Sequence, residues 1–308
     1  MKKINTVLGE IERDSLGETL CHEHVACLNP SFYRAFGEKW MRKSEVVNHA
    51  VAMCKQAKED CNISTIIDGT PIDLGRDIDM IREVSQKSGV NILFSSGIYC
   101  SEEQFLYGKK AEKVAGFFID ECQNGVAGTS VKPAILKCAT GKRGVTEINE
   151  LLLNAMSITQ KETDLPMFAH NEHEIKTAHA QLKIFEKNGV NLEKIVIGHC
   201  SDSYDIEYLI GLLKSGVYLG FDRIYPSDYE RQAETMAKLI EKGYEDKILV
   251  SHDFFAFSDF KENDFETHKK NGRNFTTVHK QLFSALRKIG VEENQIQKFT
   301  INNPKNFL

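Results

Sequence analysis

This sequence of 308 residues lacks several patterns that identify common protein classes. It has no Gly-x-Gly-x-x-Gly motif after a first strand and no Walker-type phosphate loop, and both absences disfavour a nucleotide-binding sheet. No apolar run approaches the ~20 residues that a membrane-spanning helix needs. The opening segment MKKINTVLGEIERD turns polar at once, unlike a secretory signal. We therefore expect a cytoplasmic protein with no membrane partner.

A surplus of positive charge and closely paired cysteines are also missing. The chain has 39 Lys and Arg against 44 Asp and Glu, and its basic residues are scattered, so we expect no nucleic-acid partner. None of the eight cysteines forms a Cys-x-x-Cys pair, and several lie in apolar runs. This pattern indicates reduced core thiols rather than a disulfide scaffold. A small-molecule substrate suits this composition better than a polyanion.

Short apolar runs alternate with amphipathic segments of helical length along the whole chain. Eight of the runs are typical of strands: 18–25, 63–68, 91–97, 133–139, 166–170, 194–199, 217–222 and 247–253. Strands that alternate with helices form parallel sheets with right-handed crossovers, and eight such units fit a closed barrel. The prediction is an α/β protein with a (β/α)8 TIM barrel, in which residues 1–308 form a single domain. A doubly wound open sheet is the alternative.

Residue types that bind metals lie near the ends of several of these runs. His22 and His24 are two positions apart, so a strand directs both side chains to one face. His170, His199 and Asp253 end the fifth, sixth and eighth runs. Barrel enzymes place their chemistry at the carboxyl ends of the strands. One such histidine alone is more often structural, but together these residues predict a metal site.

Lys137, near the end of the fourth run, is unusual in this set because an ammonium group repels cations. Two divalent ions about 3.5–4 Å apart need a bridging anion between them. A neutral lysine can supply that anion by adding carbon dioxide to form a carbamate, and burial beside cations favours the neutral amine. We predict that Lys137 is carboxylated and bridges two ions. A lysine that extends from the strand end towards solvent is the alternative.

Two long segments and two further polar residues complete the prediction. Residues 26–43 and 254–275 follow the first and eighth runs and carry aromatic side chains, so each either roofs a substrate pocket or packs as an ordinary loop. Glu23 alternates with the two nearby histidines and is expected to face away from the metals and to pair with a neighbouring element. His252 is expected to be buried and hydrogen-bonded.

The order of motifs resembles the phosphotriesterase-like branch of the amidohydrolase superfamily over nearly the whole chain. The matching segments are INTVLGEIERDSLGETLCHEHV, FSSGIY, AILKCATG, FAHNEH, VIGHCSD, GFDRIY, ILVSHD and NNPKNF. The resemblance implies a (β/α)8 barrel with two divalent ions, most often Zn²⁺, with Co²⁺, Mn²⁺ and Fe²⁺ as alternatives. It also implies how the ligands divide: His22, His24 and Asp253 on the more buried ion, His170 and His199 on the more exposed ion, and carboxylated Lys137 between them.

Within this family, members that resemble lactonases carry a tyrosine after the third strand and an Asp-Arg pair after the seventh. Tyr99, Asp222 and Arg223 match that pattern. By this resemblance Tyr99 would bind the developing oxyanion, Asp253 would carry a proton to the leaving group, and Arg223 would shape the pocket mouth. The structural alternatives are that Tyr99 packs in the barrel mouth and that Arg223 pairs with Asp222.

The function that the resemblance implies is hydrolysis of lactones, N-acyl homoserine lactones among them, with weaker activity on phosphotriesters. A true phosphotriesterase and a small-amide hydrolase are the enzymatic alternatives. A metal-dependent small-molecule binding protein without turnover is the alternative outside enzymes. The resemblance further implies a homodimer.

Overall fold

The computed structural model describes residues 2–260 and 274–308. Its strands are β1 (Lys3–Thr6), β2 (Gly9–Glu12), β3 (Glu18–Cys27), β4 (Ile63–Asp68), β5 (Asn91–Gly97), β6 (Ile135–Ala139), β7 (Met167–His170), β8 (Ile195–Ile197), β9 (Tyr218–Phe221), β10 (Ile248–Val250) and β11 (Phe255–Ser258). Its helices are α1 (Pro30–Phe36), α2 (Lys43–Cys61), α3 (Ile78–Ser88), α4 (Ala111–Asn124), α5 (Glu147–Thr163), α6 (Thr177–Lys187), α7 (Ile206–Leu213) and α8 (Tyr229–Glu241). Three short helices, Phe283–Lys288, Glu293–Gln297 and Asn303–Phe307, lie near the carboxyl terminus.

The main sheet is parallel throughout, with strand order β10-β9-β8-β7-β6-β5-β4-β3-β11. The ring closes where the segment after β10 meets β3, because Asp253 N donates to His22 O at 3.0 Å. Beyond that contact β11 pairs with β3, with Phe255 opposite His24. The sequential order and this closure confirm the predicted (β/α)8 barrel. They contradict the open doubly wound sheet, in which the strand order reverses at a switch point.

The helices form where the sequence carries an apolar stripe between a capping residue and a stop signal. In α3, Asp77 caps the first turn by accepting a hydrogen bond from Met80 N at 2.9 Å. Gly89 ends the helix with φ of +68°, a left-handed conformation that glycine adopts without steric cost. Ile81 and Val84, three positions apart, are buried in the cluster that also contains residues of β4 and β5. The stripe therefore fixes the helix against the outside of the barrel.

Two strands near the site end two or three residues earlier than predicted. β8 ends at Ile197 and β10 at Val250, whereas the sequence extended these strands to His199 and Asp253. Both of those residues have a left-handed backbone, with φ of +59° and +53°. Such a conformation cannot continue a strand. The two side chains are therefore carried by loops just past the strand ends, a difference that hydrophobic periodicity does not report.

One buried cluster fills the barrel interior beneath the site. Each of the strands β3 to β10 contributes one residue to it: Cys21, Ile67, Leu93, Ile135, Phe168, Val196, Tyr218 and Leu249. At the amino ends of the strands, the cluster is completed by Ile4, Leu16, Phe307 and Leu308, none of them more than 6% exposed. Burial of this layer stabilises the barrel and closes one of its ends with apolar atoms.

The antiparallel hairpin β1–β2 was not predicted from the sequence. It pairs Lys3 with Glu12, and Val7 N in its turn donates to Ile92 O, near the start of β5, at 2.9 Å. Strands of four residues are too short to show a reliable alternation of apolar and polar residues. The hairpin covers the amino end of the barrel and delivers Ile4 to the interior cluster.

The cysteines are all free, as expected, and five of the eight are buried. Within residues 2–260 and 274–308, no helix has the length and apolar character needed to cross a membrane.

Candidate metal centre

The structure brings every predicted site residue to one cavity of about 460 Å³ at the carboxyl end of the barrel strands. Eight of the lining residues are those predicted from the sequence: His22, His24, Lys137, His170, His199, Asp253, Tyr99 and Arg223. The remaining lining residues are Cys27, Leu74, Cys100, Ser101, Phe255 and Phe260. The cavity thus has a polar floor and a largely apolar wall, and its volume suits a small molecule.

The local shape of β3 explains how its histidines reach this cavity. The register of β3 against β4 shifts between Leu20 and Glu23. As a result Cys21 belongs to the interior cluster, and the next residue, His22, also faces inward, with its ring 4.1 Å from the Phe168 ring between centroids. An irregularity of this kind re-aims the side chains that follow it. It places the end of β3 over the apolar layer.

Both ring nitrogens of His22 are engaged. Nδ1 lies 2.6 Å from Asp222 Oδ2, and Nε2 lies 2.8 Å from Lys137 Nζ. Since the carboxylate accepts the Nδ1 hydrogen, the Nε2 lone pair points towards Lys137 and the cavity. Asp222 Oδ1 also accepts a hydrogen bond from His199 N at 2.6 Å. The single buried carboxylate of Asp222 therefore orients two candidate ligands, His22 in β3 and His199 just after β8.

His24 is fixed in the same manner by a different partner. Its Nδ1 lies 2.8 Å from Thr70 Oγ1, and its Nε2 lies 3.1 Å from Asp253 Oδ1. Burial opposes the charged form, but the neighbouring Cys27 and Asp253 raise the pKa of His24 above its ordinary value. His22, His24 and Asp253 offer ligand atoms that all lie within 4.8 Å of one another.

A second pair of histidines faces this group across the cavity. His170 Nδ1 lies 2.5 Å from His199 Nε2. The Tyr99 hydroxyl lies 3.0 Å from His170 Nε2, so Tyr99 contacts a candidate ligand instead of only packing in the barrel mouth. His170 O and the adjacent strand are fixed from behind by Gln181, whose Nε2 donates to that carbonyl at 2.7 Å.

Lys137 is deeply buried, with 1% of its surface exposed. Its Nζ lies 4.4 Å from the centre of the Phe168 ring and contacts His22. In the part of the chain that the structure describes, no carboxylate oxygen forms an ion pair with it within 4.0 Å. Burial lowers the pKa of Lys137 from its usual value, although Asp253 and Asp222 oppose that shift. The alternative of a lysine that extends to solvent is wrong.

Burial also keeps three of the imidazoles neutral. It lowers the pKa of His22 to about 4, with the nearby Lys137 adding to the effect. It lowers the pKa of His170 and of His199 as well. Neutral imidazole is the form that binds a metal ion. These three side chains are thus held in the metal-binding protonation state near neutral pH.

Asp253 stays ionised although most of its side chain is shielded from solvent. Burial opposes ionisation, but His22, His199 and the Arg223 guanidinium hold the pKa of this carboxyl well below its usual range. Its two oxygens have separate partners, since Oδ1 faces His24 and Oδ2 accepts a hydrogen bond from Arg223 Nε at 2.9 Å. The left-handed backbone of Asp253 is what turns the carboxylate into the cavity.

Arg223 does not pair with Asp222, and that structural alternative is wrong. Its guanidinium spans two other carboxylates, Asp253 through Nε and Asp202 through an Nη nitrogen, at 2.9 Å each. Its backbone is held by Gln232, whose Nε2 donates to Arg223 O at 2.8 Å. These contacts hold both the guanidinium and the backbone of Arg223, which borders the cavity at the carboxyl end of β9.

Three residues around the site were not predicted in the roles that the structure gives them. Asp222 orients two histidines, Thr70 orients His24, and Asp202 anchors Arg223. A signal existed for Asp222, because it follows an apolar strand run as the other candidate ligands do. Thr70 lies in a loop and Asp202 ends the short 3-10 helix Cys200–Asp202, and nothing in their sequence context marks their partners.

The two long loops have different outcomes. In residues 26–43 the aromatic residues Phe32, Phe36 and Trp40 contact one another near the surface and do not line the cavity, which fits ordinary loop packing. In residues 254–275, Phe255 and Phe260 line the cavity wall. Residues 261–273 of that loop, with His268, lie outside the described residues.

The donor set fits a divalent transition-metal ion. Two groups of ligand atoms, each within 4.8 Å, are present among the described residues: His22 with His24 and Asp253, and His22 with His199 and Asp222. His199 Nδ1 is buried and forms no hydrogen bond to a described residue; two carboxylate oxygens lie near it, Asp222 Oδ2 at 3.3 Å and Asp253 Oδ2 at 3.8 Å. Nitrogen and carboxylate donors in an open, partly apolar cavity are typical of catalytic zinc sites.

Comparisons with known proteins agree with this geometry. A model of the phosphotriesterase family matches residues 2–308. A phosphotriesterase homology protein from Mycobacterium tuberculosis is 31% identical over 317 residues, 99% of this chain and 97% of the relative. An aryldialkylphosphatase from Saccharolobus solfataricus is 30% identical over 308 residues, 96% of each chain. The solved structure of the phosphotriesterase from Mycobacterium tuberculosis has a TM-score of 0.93 at 30% identity and covers 99% of this chain and 98% of its own. Because these similarities span the chain from end to end, this protein belongs to the phosphotriesterase family.

Proposed function

We propose that this protein is a metal-dependent hydrolase that opens lactone rings, N-acyl homoserine lactones among them, with weaker activity on phosphotriesters. One observation carries the proposal. The Tyr99 hydroxyl, a neutral hydrogen-bond donor, lies 3.0 Å from His170 Nε2 in the same cavity as the complete candidate ligand set. A donor beside the ligands suits a carbonyl oxygen that gains negative charge during attack.

Two divalent cations, Zn²⁺ in the first instance, are the cofactors that this proposal requires. His22, His24 and Asp253 would hold one ion, and His170 with His199 would hold the other. When bound, such a pair of ions polarises an ester or phosphoryl oxygen and acidifies water to serve as the nucleophile. The pKa of His22, about 4, supports this role because the imidazole is neutral at the working pH.

Lys137 would link the two groups of ligands as a carbamate. In this reaction the neutral Nζ forms a bond to the carbon of CO₂ and releases one proton, which leaves an anion with two oxygen donors. The burial of Lys137 supports the step, because burial lowers the lysine pKa and the described residues offer the ammonium form no ion pair. The carbamate would also supply the negative charge that two adjacent cations need.

Other residues of the cavity would act on the substrate directly. Burial raises the pKa of Tyr99, so its hydroxyl stays protonated and can donate to the developing oxyanion. Asp253 would accept the proton of the attacking water and pass it to the leaving alkoxide. Arg223, held by Asp253 and Asp202, would border the leaving-group side of the pocket.

Phosphotriester hydrolysis is the second candidate function, favoured by the 30% identity to an aryldialkylphosphatase. The two reactions share the metal chemistry, but their substrates differ in shape, since a triester needs room for three substituents around phosphorus. The wall formed by Cys27, Leu74, Phe255 and Phe260 supports the lactone, because it offers one apolar side to one aliphatic substituent.

The test is a substrate panel run on purified protein with measured metal content. N-acyl homoserine lactones, simple γ- and δ-lactones, paraoxon-type triesters and small N-acylated amines are compared by kcat/KM, with and without a chelator. We expect chelator-sensitive turnover in which the best lactone exceeds the best triester by about 100-fold or more, equal to about 2.7 kcal/mol of transition-state stabilisation.

Each other outcome assigns a different function. Faster turnover of triesters than of any lactone would make the protein a phosphotriesterase, and turnover of acylated amines alone would make it an amide hydrolase. Bound metal without turnover of any class would indicate a binding protein. Protein that takes up no transition metal would contradict all the hydrolase candidates.

A further inference from the structure

Behind the candidate ligands lies a second buried carboxylate, Glu23, with none of its surface exposed. It sits between His22 and His24 in β3 but faces the opposite way, as predicted. Its Oε1 accepts hydrogen bonds from Ser251 Oγ at 2.8 Å, from His252 N at 2.9 Å and from His252 Nδ1 at 2.6 Å. Its Oε2 accepts a hydrogen bond from Phe254 N at 3.0 Å. All four partners donate, so the carboxylate serves only as an acceptor.

The two backbone donors lie on either side of a single residue, Asp253. His252 N binds one oxygen of Glu23 and Phe254 N binds the other, so the chain is pinned immediately before and immediately after Asp253. Asp253 has φ of +53°, a sparsely populated conformation for a non-glycine residue. Such a conformation persists only where several contacts with the surrounding structure restrain the backbone. Glu23 supplies that constraint.

The surrounding bonds leave this carboxylate little freedom. His22 N donates to Ser251 Oγ at 2.9 Å, which directs the serine hydroxyl hydrogen towards Glu23. His252 Nε2 accepts a hydrogen bond from Val278 N at 3.0 Å, so its Nδ1 carries the hydrogen that binds Glu23. Asp253 N donates to His22 O at 3.0 Å. The network joins β3 to the segment after β10 behind the site.

We propose that Glu23 is a positioning residue for the Asp253 ligand. By accepting hydrogen bonds from the amides on both sides of Asp253, Glu23 holds the Asp253 carboxylate where an ion bound by His22 and His24 needs it. The proposal rests on the metal-dependent function proposed above. It assigns Glu23 no contact with substrate or metal. Asp253 is the only predicted ligand that depends on these two amides, so the effect of Glu23 is confined to one of the two ions.

The direct test is Glu23→Gln, which keeps the shape of the side chain. Whichever way the amide turns, its NH₂ group opposes an N–H or O–H donor, because both oxygens of Glu23 accept only. Zinc binding is titrated at buffered free zinc, and both equivalents are followed. We expect the equivalent that depends on Asp253 to bind about 10- to 100-fold more weakly, with the other equivalent changed by less than about threefold.

The matched control is Glu121→Gln on α4. Glu121 is a partly buried carboxylate, bound to Arg76 and to Ser96, and it does not line the cavity. It should lower the melting temperature of the metal-free protein and leave both zinc affinities unchanged. Equal weakening of both equivalents in Glu23→Gln, or of neither, would overturn the proposal and leave Glu23 a general stabilising residue.

Two milder variants serve if Glu23→Gln does not fold. Ser251→Ala and His252→Gln keep the carboxylate and each removes one side-chain donor to it. We expect each to weaken the same zinc equivalent by about threefold to tenfold, and no change in either variant would reject the proposal. Wild-type protein that binds two zinc ions but hydrolyses no substrate would refute the proposed function, whereas the zinc titrations would still decide the role of Glu23.

Discussion

The two ends of the barrel are built from the same strands, but apolar side chains line the amino end and polar side chains line the carboxyl end. At the amino end, Ile4, Leu16 and Phe307 pack on the interior cluster with almost no exposed surface. At the carboxyl end, the same strands or the loops after them carry buried groups such as Lys137 and His199, which prefer water. Burial of apolar surface stabilises the fold, whereas burial of polar and charged groups costs free energy unless they are paired.

This difference separates the stability of the molecule from its chemistry. The packing of the amino end rests on the apolar side chains of the interior cluster, whereas the carboxyl end leaves Lys137 without an ion pair among the described residues. His199 Nδ1 forms no hydrogen bond to a described residue either. Ions that bind there gain interactions that the chain alone leaves unmade. Substitutions at the two ends should therefore have separable effects, on metal and turnover at one end and on unfolding at the other.

The largest effect is expected for Lys137→Ala at the carboxyl end. Loss of the proposed carbamate should release metal and lower kcat/KM by about 1,000-fold or more, because the proposed ions would supply several kcal/mol of transition-state stabilisation. Added short carboxylic acid should partly restore both. The matched control is Lys247→Ala: Lys247 also lies over an aromatic ring, that of Tyr218, but at the amino end. Full activity of Lys137→Ala without additive would contradict a carbamate bridge.

Phe307→Ala tests the amino end. This side chain is 3% exposed and packs against Tyr218, with ring centroids 5.3 Å apart. Its removal should lower the free energy of unfolding by about 4 kcal/mol, measured in urea. Metal content and kcat/KM of the folded protein should stay within about twofold of wild type, since a distant site is independent. Loss of metal in this variant would mean that the two ends are coupled.

The pH dependence of stability should also arise at the carboxyl end. In metal-free protein the pKa of His22 is about 4, below the value of about 6.5 in an unfolded chain. Between these values the unfolded state binds more protons, so the free energy of unfolding should fall as pH drops from about 6.5 to 4, by up to about 3 kcal/mol. The measurement is urea unfolding with chelator across this range.

Two variants sharpen that measurement. Phe307→Ala should show the same pH dependence as wild type, displaced to lower stability, because Phe307 carries no titrating group. His22→Asn should show a smaller loss over the same interval. A pH profile that His22→Asn leaves unchanged would assign the loss to other groups.

The smallest of these effects is expected for Tyr99→Phe. Loss of the hydroxyl should lower kcat/KM for lactones by about 30- to 100-fold, equal to about 2–3 kcal/mol, without changing metal content. Tyr218→Phe, a buried tyrosine at the amino end, is the matched control and should leave turnover unchanged. Equal activity of Tyr99→Phe and wild type on every lactone would remove the main support for lactone hydrolysis.

Much of this architecture could be predicted from the chain. The alternation of apolar runs with amphipathic segments predicted the barrel, and the bounds 63–68 and 91–97 coincide with β4 and β5. The polar residues at strand ends predicted which side chains meet. The N-terminal hairpin was missed because each of its strands has only four residues. The ends of β8 and β10 were placed too late because a left-handed turn leaves no trace in hydropathy.

The sequence by itself determined the fold and which candidate metal ligands meet in the cavity, because periodicity fixes which faces are buried and because the ends of parallel strands must meet. Tyr99 and Arg223 were reached only through the family resemblance. Only the tertiary structure decided how the site is held. Asp222 on His22, Arg223 across Asp253 and Asp202, and Glu23 around Asp253 are contacts between residues far apart in the chain. The physical reason is that a hydrogen bond depends on distance and direction in space, and both are set only when the barrel closes.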